Sequence, residues 1–256
     1  MNTMPVLFIG HGSPMNAIED NEYTKSWTEI ARLLPIPKAV LVISAHWYTD
    51  GSKVMDSEHP KMIYDMYGFP DELYQVKYPA PGAPEPAHRT KAMITHPVSI
   101  DNTWGFDHGN WSVLKHLFPK ADLPVYQLSI DYNAALQVHY DIGKELMALR
   151  DEGVLIIGSG NVVHNLSRLA YTQAHGFDWA DKFDAHVKQL ILNKDYEAVV
   201  NIRNTDDNFR LAVPTPEHFI PLLYVLGAVN LEDTIKFYND SSVYGSLSMT
   251  SYLFGA

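Results

Sequence analysis

Short apolar runs alternate with amphipathic segments along most of this chain of 256 residues, and this alternation restricts the fold strongly. Apolar runs that predict strands lie at residues 5–9, 39–44, 124–130, 154–157, 234–238 and 247–253. Helical spacing of apolar residues occurs at 27–34, 135–149 and 180–190, and residues 216–229 are apolar enough for a buried helix. The pattern predicts an α/β fold with one domain over residues 1–256, in which a mixed or mostly parallel sheet is covered by helices on both faces.

Residues 49–86 interrupt this pattern, because they are rich in Tyr, Pro and Gly and show weak periodicity. Such a segment is better explained as a long excursion from the sheet than as a second domain. Excursions of this kind often form one wall of a binding site. Trp47, Tyr48, Trp104 and Phe106 are candidates to line a pocket for an aromatic ring, with plain core packing as the alternative.

Composition narrows the possible partners. The chain has 19 Lys and Arg against 30 Asp and Glu, a formal net charge of −11, so its average surface repels nucleic acid and anionic lipid. It shows neither a basic and apolar leader nor a membrane-length apolar run, and the expected location is cytoplasmic. Because the chain contains no Cys, any bound metal must use nitrogen and oxygen ligands.

Histidines follow several of the predicted strands. His11 comes after the first strand, His46 after the second, and His164 a few residues beyond the strand at 154–157. His218 lies near the start of the helix predicted at 216–229, where it can face the same crevice. Ligands of open α/β sheets bind beyond the carboxyl ends of the strands, and neutral imidazole is a common ligand of Fe, Zn, Ni and Cu. These four side chains are therefore the candidate metal ligands.

Each candidate has a plain structural alternative, because a single His after a strand is more often a packing residue than a ligand. Glu217 also competes with His218, since two His and one carboxylate form a familiar Fe(II) site. Neighbouring helical residues point about 100° apart, so only one of the two can easily face a metal. We favour His218, with Glu217 as an outer partner.

Other motifs are weaker. His108, within residues 105–111, is either an acid/base or substrate-binding group or a turn residue. Residues 158–161 lack the third glycine and the Lys of phosphate-binding loops, and Ser13 lacks the elbow motif of serine hydrolases. His139 and His186 are expected to flank the apolar faces of helices. The remaining histidines are expected at the surface, namely His59, His88, His96, His116 and His175.

Five short motifs occur in order along nearly the whole chain. They are Gly10-His11-Gly12-Ser13-Pro14, Ser44-Ala45-His46-Trp47, Asp107-His108-Gly109 with Trp111, Gly158-Ser159-Gly160-Asn161 leading to His164-Asn165, and Pro216-Glu217-His218-Phe219 with Pro221. Together they resemble the class III extradiol ring-cleavage dioxygenases, specifically the 4,5-DOPA dioxygenase extradiol family. The resemblance implies the α/β fold of the catalytic subunit of protocatechuate 4,5-dioxygenase.

The resemblance also implies one mononuclear divalent metal held by His11, His46 and His218, with His164 as either a fourth ligand or the catalytic base. Members of the family use Fe(II) for turnover, although Zn(II) can occupy the same histidines. The implied substrates are a catechol and O2, and the implied product is a ring-opened semialdehyde. His108 would hydrogen-bond the substrate or the oxygen. Better-studied relatives in the wider class use a carboxylate as third ligand, whereas this chain offers a His at the position we favour.

The leading hypothesis is an Fe(II)-dependent extradiol dioxygenase that acts on a DOPA-like catechol. A zinc-dependent hydrolase on the same fold is one alternative, and a non-catalytic metal- or ligand-binding protein is another. Full activity with zinc in the absence of oxygen would identify the hydrolase, and tight binding without ring opening would identify the binding protein. A monomer and a small homo-oligomer fit the sequence equally well.

Overall fold

The computed structural model describes residues 3–255. In this range the strands are β1 (Val6–Gly10), β2 (Ala39–Ser44), β3 (Tyr48–Thr49), β4 (Ser52–Val54), β5 (Val98–Ile100), β6 (Val125–Gln127), β7 (Ile130–Asp131), β8 (Val154–Gly160), β9 (Ile235–Tyr238), β10 (Ser242–Val243), β11 (Leu247–Ser248) and β12 (Ser251–Phe254). The α-helices are α1 (Glu22–Leu33), α2 (Pro84–Met93), α3 (His108–Leu117), α4 (Leu136–Leu146), α5 (Asp178–Leu192), α6 (Tyr196–Val200), α7 (Phe209–Ala212) and α8 (Ile220–Gly227).

A six-stranded sheet with the order β6-β2-β8-β1-β12-β9 forms the centre of the fold. The strands β6, β2, β8 and β1 run parallel to one another, whereas β12 lies antiparallel to both β1 and β9. The predicted α/β class with a mixed, mostly parallel sheet is therefore confirmed. Because the four parallel strands point the same way, the segments that follow β1, β2 and β8 meet at one edge of the sheet.

Each face of the sheet carries its own hydrophobic core. Along β1, Val6 and Phe8 pack in a cluster that includes residues of α4, α5 and α8. Leu7 and Ile9 point the other way and pack in a second cluster with residues of α1 and α3. This alternation explains why the central strands are apolar at nearly every position, since side chains on both faces are removed from water. None of the described helices is long and apolar enough to cross a membrane.

Helix α1 shows how local sequence sets the element boundaries. Asn21 caps its start, because the Asn21 side chain accepts from the Thr24 backbone N–H while the Thr24 hydroxyl accepts from the Asn21 backbone. Trp27 and Ile30 are fully buried and attach the helix to the sheet. The helix ends at Leu33, as expected where Pro35 disfavours helical backbone at the residue before it.

One predicted strand is divided in the structure. The run 124–130 forms β6 beside β2 and then β7, because its pairing partner changes after Gln127. The Ser129 backbone N–H donates to Lys53 O and that of Ile130 donates to Trp47 O. Both acceptors lie beyond the end of β2, and hydropathy alone does not report such a change of partner.

Two other boundaries also differ from the sequence prediction. Helix α8 begins at Ile220 rather than near Pro216, because the Phe219 and Ile220 N–H groups both donate to Pro216 O in a tight turn. Of the run 247–253, only the part within β12 joins the central sheet, whereas β11 forms a small antiparallel ribbon with β10. The turn before α8 matters for function, since it contains His218.

Candidate metal centre

Three of the candidate histidines converge at the carboxyl edge of the sheet. His11 directly follows β1, His46 lies two residues beyond β2, and His218 lies two residues before α8. One ring nitrogen of each lies within 4.8 Å of a ring nitrogen of the other two, and His11 Nε2 is 3.2 Å from His46 Nε2. His11 and His218 are buried, and His46 is partly buried. The fold thus brings together residues separated by more than two hundred positions in the chain.

An oxygen acceptor lies beside the Nδ1 atom of each of these imidazoles. The His11 partner is Ser159 Oγ at 3.0 Å, and the Ser159 hydroxyl itself donates to Gly109 O at 2.6 Å. Because the hydroxyl proton is used there, Ser159 accepts from His11 Nδ1–H. Asp65 Oδ2 lies 3.1 Å from His46 Nδ1, and Glu217 Oε1 lies 3.2 Å from His218 Nδ1. The network therefore leaves the Nε2 lone pairs free, which is the arrangement of metal-ligating histidines.

Burial lowers the pKa of His11, His46 and His218 well below the usual value, and charges on neighbouring histidines would lower it further. These imidazoles are therefore neutral near pH 7, the form that binds a metal. Two Nε2 lone pairs only 3.2 Å apart repel each other unless a cation or a shared proton lies between them. The donor set fits a divalent metal, because the chain supplies neutral nitrogen ligands with their outer hydrogen bonds already made.

The choice between His218 and Glu217 is clearer in the structure than in the sequence. The His218 ring lies 5.4 Å from that of His11 and 5.0 Å from that of His46, measured between centroids. Glu217 Oε1 instead accepts from the Thr215 hydroxyl at 2.8 Å and lies beside His218 Nδ1. This arrangement favours His218 as the ligand and Glu217 as its outer partner, as the sequence analysis preferred.

His164 is not a member of the convergent set, but ligand atoms of His164, Glu217 and His218 lie within 4.8 Å of one another and form a second group that could hold a metal. Its ring stacks on the His218 ring with 3.4 Å between centroids and an angle of 5° between planes. Its backbone N–H donates to Ala212 O, which ties the loop after β8 to helix α7. Burial, and then the charge of His108, lower the pKa of His164 to about 4. The side chain is therefore neutral near pH 7 and has a ring nitrogen available to accept a proton.

His108 belongs to the cluster and begins helix α3. Its ring lies 3.8 Å from that of His46 and 5.5 Å from that of His11. The preceding residue, Asp107, caps the helix by accepting from the Asn110 N–H, and it also accepts from the Ser44 hydroxyl at 2.6 Å. Burial raises the pKa of Asp107 to about 6. The helix cap thus connects the end of β2 to the start of α3, where His108 lies.

Asp65 is a candidate site residue that sequence reasoning missed. It lies in the 49–86 excursion, where Asp65 Oδ2 is 2.9 Å from His108 Nδ1 and 3.1 Å from His46 Nδ1. Asp65 Oδ1 accepts from the His108 backbone N–H at 2.9 Å. Burial acts to raise its pKa, but these contacts with His108 and His46 outweigh burial and lower it. One of several acids in a Tyr- and Pro-rich stretch carries no signal of this position beyond the expectation that the excursion forms a wall.

The other sequence predictions had mixed outcomes. Trp47 and Phe106 are buried in the core and follow the packing alternative. His139 does not flank its helix as expected but is fully buried, with His139 Nδ1 3.0 Å from the Tyr224 hydroxyl oxygen. His186 does lie at a flank, where it pairs with Asp206. His59, His88 and His175 are exposed as expected, whereas His96 and His116 are partly buried.

Comparison with known proteins agrees with this geometry. A family model described as the catalytic LigB subunit of aromatic ring-opening dioxygenase matches residues 5–255, so the chain belongs to this family. The 4,5-DOPA dioxygenase extradiol of Escherichia coli strain K12 is 44% identical over 98% of this chain and 95% of its own length. The enzyme of the same name from Beta vulgaris is 39% identical over 99% of this chain and 97% of its own length.

The crystal structure of the uncharacterized protein JW3007 from Escherichia coli K12 matches with a TM-score of 0.85 and 41% sequence identity. The match covers 98% of this chain and 100% of that chain. Family, relatives and fold together confirm the predicted class, an extradiol dioxygenase. Members of this class act on a small molecule together with O2, and their metal dependence agrees with the histidine cluster described above.

Proposed function

We propose that this protein is an Fe(II)-dependent dioxygenase that opens the aromatic ring of a DOPA-like catechol. The observation that carries the proposal is the convergence of His11, His46 and His218, each with an oxygen acceptor on Nδ1 and a free Nε2. Relatives at 44% and 39% identity are named 4,5-DOPA dioxygenases, which supports a catechol with an amino-acid side chain. The balanced reaction adds both atoms of O2 to the catechol and yields a ring-opened semialdehyde.

His11, His46 and His218 would hold the metal. A divalent iron at this position supplies the Lewis acidity and the electron-transfer chemistry that catechol oxidation by O2 requires. The buried, neutral state of the three imidazoles keeps them available as ligands near pH 7. Their Nδ1 partners hold the rings in one orientation, so that the free nitrogens stay directed toward a common point.

His164 is the proposed base that removes a proton from the catechol. Lone pairs of imidazole lie in the ring plane, and the His164 ring is parallel to that of His218 at 3.4 Å. An atom in the plane of His218 therefore lies well outside the plane of His164, which argues against both rings binding the same ion. His164 is neutral near pH 7 because burial lowers its pKa to about 4, so it has a ring-nitrogen lone pair toward which a catechol hydroxyl can donate.

His108 is the proposed second group that contacts the substrate. Its Nδ1–H donates to Asp65 Oδ2, which leaves His108 Nε2 to accept a hydrogen bond from a substrate hydroxyl. The Asp65 contact to the His108 backbone N–H holds the start of α3 in place. His46 and His108 therefore take their orientation from one carboxylate, and this links metal binding to substrate binding.

The decisive experiment loads the protein with Fe(II) under anaerobic conditions and then adds O2 and a panel of catechols that includes DOPA. We expect consumption of O2 with the appearance of the yellow semialdehyde. Zn(II)-loaded protein is the matched control and should leave the ring intact. Absence of ring opening across the panel with iron content confirmed would contradict the proposal, and hydrolysis by the zinc form without O2 would favour the hydrolase alternative.

A further inference from the structure

A pocket of about 560 Å³ is lined in part by residues close in sequence to the histidine cluster. We call it the arginine pocket and define it by Tyr48, Tyr132, Arg203, Phe209, Arg210 and Pro216. Its wall comes from the same segments that hold the histidines. Tyr48 lies two residues after His46, and Pro216 lies two residues before His218.

Arg203 and Arg210 are exposed at this pocket. Neither side chain makes an ion pair or a hydrogen bond with another described residue. Among the other described arginines, Arg89 pairs with Glu152 and Arg150 with Asp233, whereas Arg32 and Arg168 are also exposed without an acidic partner but do not line this pocket. Two unpaired cations beside one pocket are notable in a chain with a net charge of −11. The planar guanidinium group is well suited to bind a carboxylate through two hydrogen bonds.

Acidic groups close in sequence make no ion pair with these arginines, and this includes the exposed Asp207. Asp206 lies between them in the chain, but its Oδ2 contacts His186 Nδ1 at 2.6 Å and its Oδ1 accepts from the Asn208 N–H. The Glu217 carboxylate is engaged with Thr215 and His218. An anion that enters the pocket therefore finds two guanidinium groups whose donors are free.

The remainder of the pocket is largely apolar. The rings of Tyr48 and Tyr132 pack edge to face with 5.6 Å between centroids, and Phe209 and Pro216 contribute further apolar surface. A pocket with apolar walls and a few convergent charged groups fits a ligand with an apolar body and one anionic end. This chemistry corresponds to a carboxylate carried on an aromatic side chain.

We propose that the arginine pocket binds the carboxylate of the catechol substrate, and that Arg203 and Arg210 are the residues that determine specificity for it. The proposal rests on the proposed ring-cleavage function and deepens it. The catechol ring occupies the histidine cluster while its side chain extends between the segments of Tyr48 and Pro216 into the pocket. Catechols without a carboxylate then lack this second point of attachment.

The first test compares DOPA with 4-methylcatechol, which lacks the carboxylate, in the Fe(II)-loaded protein. In the double variant Arg203→Gln and Arg210→Gln we expect KM for DOPA to rise at least about tenfold with kcat unchanged. The kinetics with 4-methylcatechol should stay as in the unmodified protein. The pair of substitutions Arg32→Gln and Lys120→Gln is the matched control, because both residues are exposed and their loss also removes two positive charges. Equal KM for DOPA in the double variant and the unmodified protein would overturn the proposal.

A second measurement does not depend on turnover. Calorimetric titration of the Zn(II)-loaded protein with DOPA under anaerobic conditions should show weaker binding in the double variant, and Arg210→Lys should lose part of the affinity because it keeps the charge without the planar fork. If no catechol is cleaved but this pattern of binding appears, the ring-cleavage function fails while the pocket assignment stands. If DOPA binds through the arginines without displacing 4-methylcatechol, the pocket is a separate anion site and the proposal is wrong.

Discussion

At the residue scale, the ability of the histidine cluster to bind a metal depends on what each Nδ1 atom contacts. Ser159, Asp65 and Glu217 each occupy the outer nitrogen of one imidazole, which leaves the inner nitrogen free. Mutation of an outer partner should therefore weaken metal binding without removing a ligand. Mutation of a ligand should abolish metal binding, whereas mutation of His164 should lower turnover.

We expect His11→Ala to bind no Fe(II) above background, because it removes one of three convergent nitrogens. His164→Ala should keep nearly full metal content while turnover falls about 10²–10⁴-fold, the usual contribution of a general base. Elemental analysis and O2 uptake on the same preparations separate the two effects. If His164→Ala loses as much metal as His11→Ala, then His164 is a ligand and its assignment as base is wrong.

Asp65→Asn should lower metal affinity about 10–100-fold, because a neutral amide cannot support His46 Nδ1 and His108 Nδ1 as a carboxylate does. Turnover at saturating metal should fall as well, since His108 loses its orientation. Competition with a chelator measures the affinity. Asp71→Asn is the control, because Asp71 is an exposed acid of the same excursion. Equal affinity in the two variants would remove the positioning role of Asp65.

At the element scale, local patterns predicted most helices and strands but not how neighbouring segments meet. Periodicity identified α1, α4 and α5, because each keeps one apolar face against the sheet. It placed the start of α8 too early, because the Pro216 turn is stabilised by backbone hydrogen bonds that leave no hydropathy signal. The end of β8 shows the same limit of sequence prediction, because Gly160 is required there by its contact with the distant His218 segment.

Gly160 ends β8 directly against the backbone of His218, and a Cβ atom there would collide with the His218 carbonyl oxygen. Gly160→Ala should therefore displace the His218 segment, weaken metal binding at least about tenfold and destabilise the fold by about 1–3 kcal/mol. Gly153→Ala is the matched control, because Gly153 lies just before the other end of β8, has a φ of +92° and meets only the flexible Lys38 side chain. Gly153→Ala should lower the free energy of unfolding, as measured with urea. It should preserve metal affinity, as measured by competition with a chelator. Equal loss of affinity in both variants would contradict this role of Gly160.

At the scale of the whole molecule, the sheet divides the protein into two helical layers and gathers the histidines at one edge. A single domain over residues 1–256 stays a prediction, as does the oligomeric state. The layer formed by α4 and α8 contains a buried polar contact between His139 and Tyr224. Burial lowers the pKa of His139 to about 4, so the folded state resists protonation of this side chain.

This contact predicts a pH dependence of stability. The unfolded chain binds a proton at His139 near pH 6.5, whereas the folded protein does so only near pH 4. The contribution of neutral His139 to the free energy of unfolding is therefore fully present above about pH 6.5. It is lost as the pH falls toward 4, by about 3 kcal/mol in total. Urea unfolding in the presence of a chelator measures the free energy of unfolding. Over this pH range that free energy should fall less for His139→Gln than for the unmodified protein. Parallel curves for the two proteins would show that His139 does not contribute.

The sequence alone determined the alternation of strands and helices, the cover on both sheet faces and the positions of His11, His46, His164 and His218 at element ends. These features follow from hydrophobic periodicity and from residues close together in the chain. Only the tertiary structure revealed the contacts of Asp65, the position of Glu217 at the outer nitrogen of His218 and the stacking of His164 on His218, on which the proposed roles rest. Those outcomes depend on contacts between segments far apart in sequence, where side-chain direction within about an ångström decides which atoms meet.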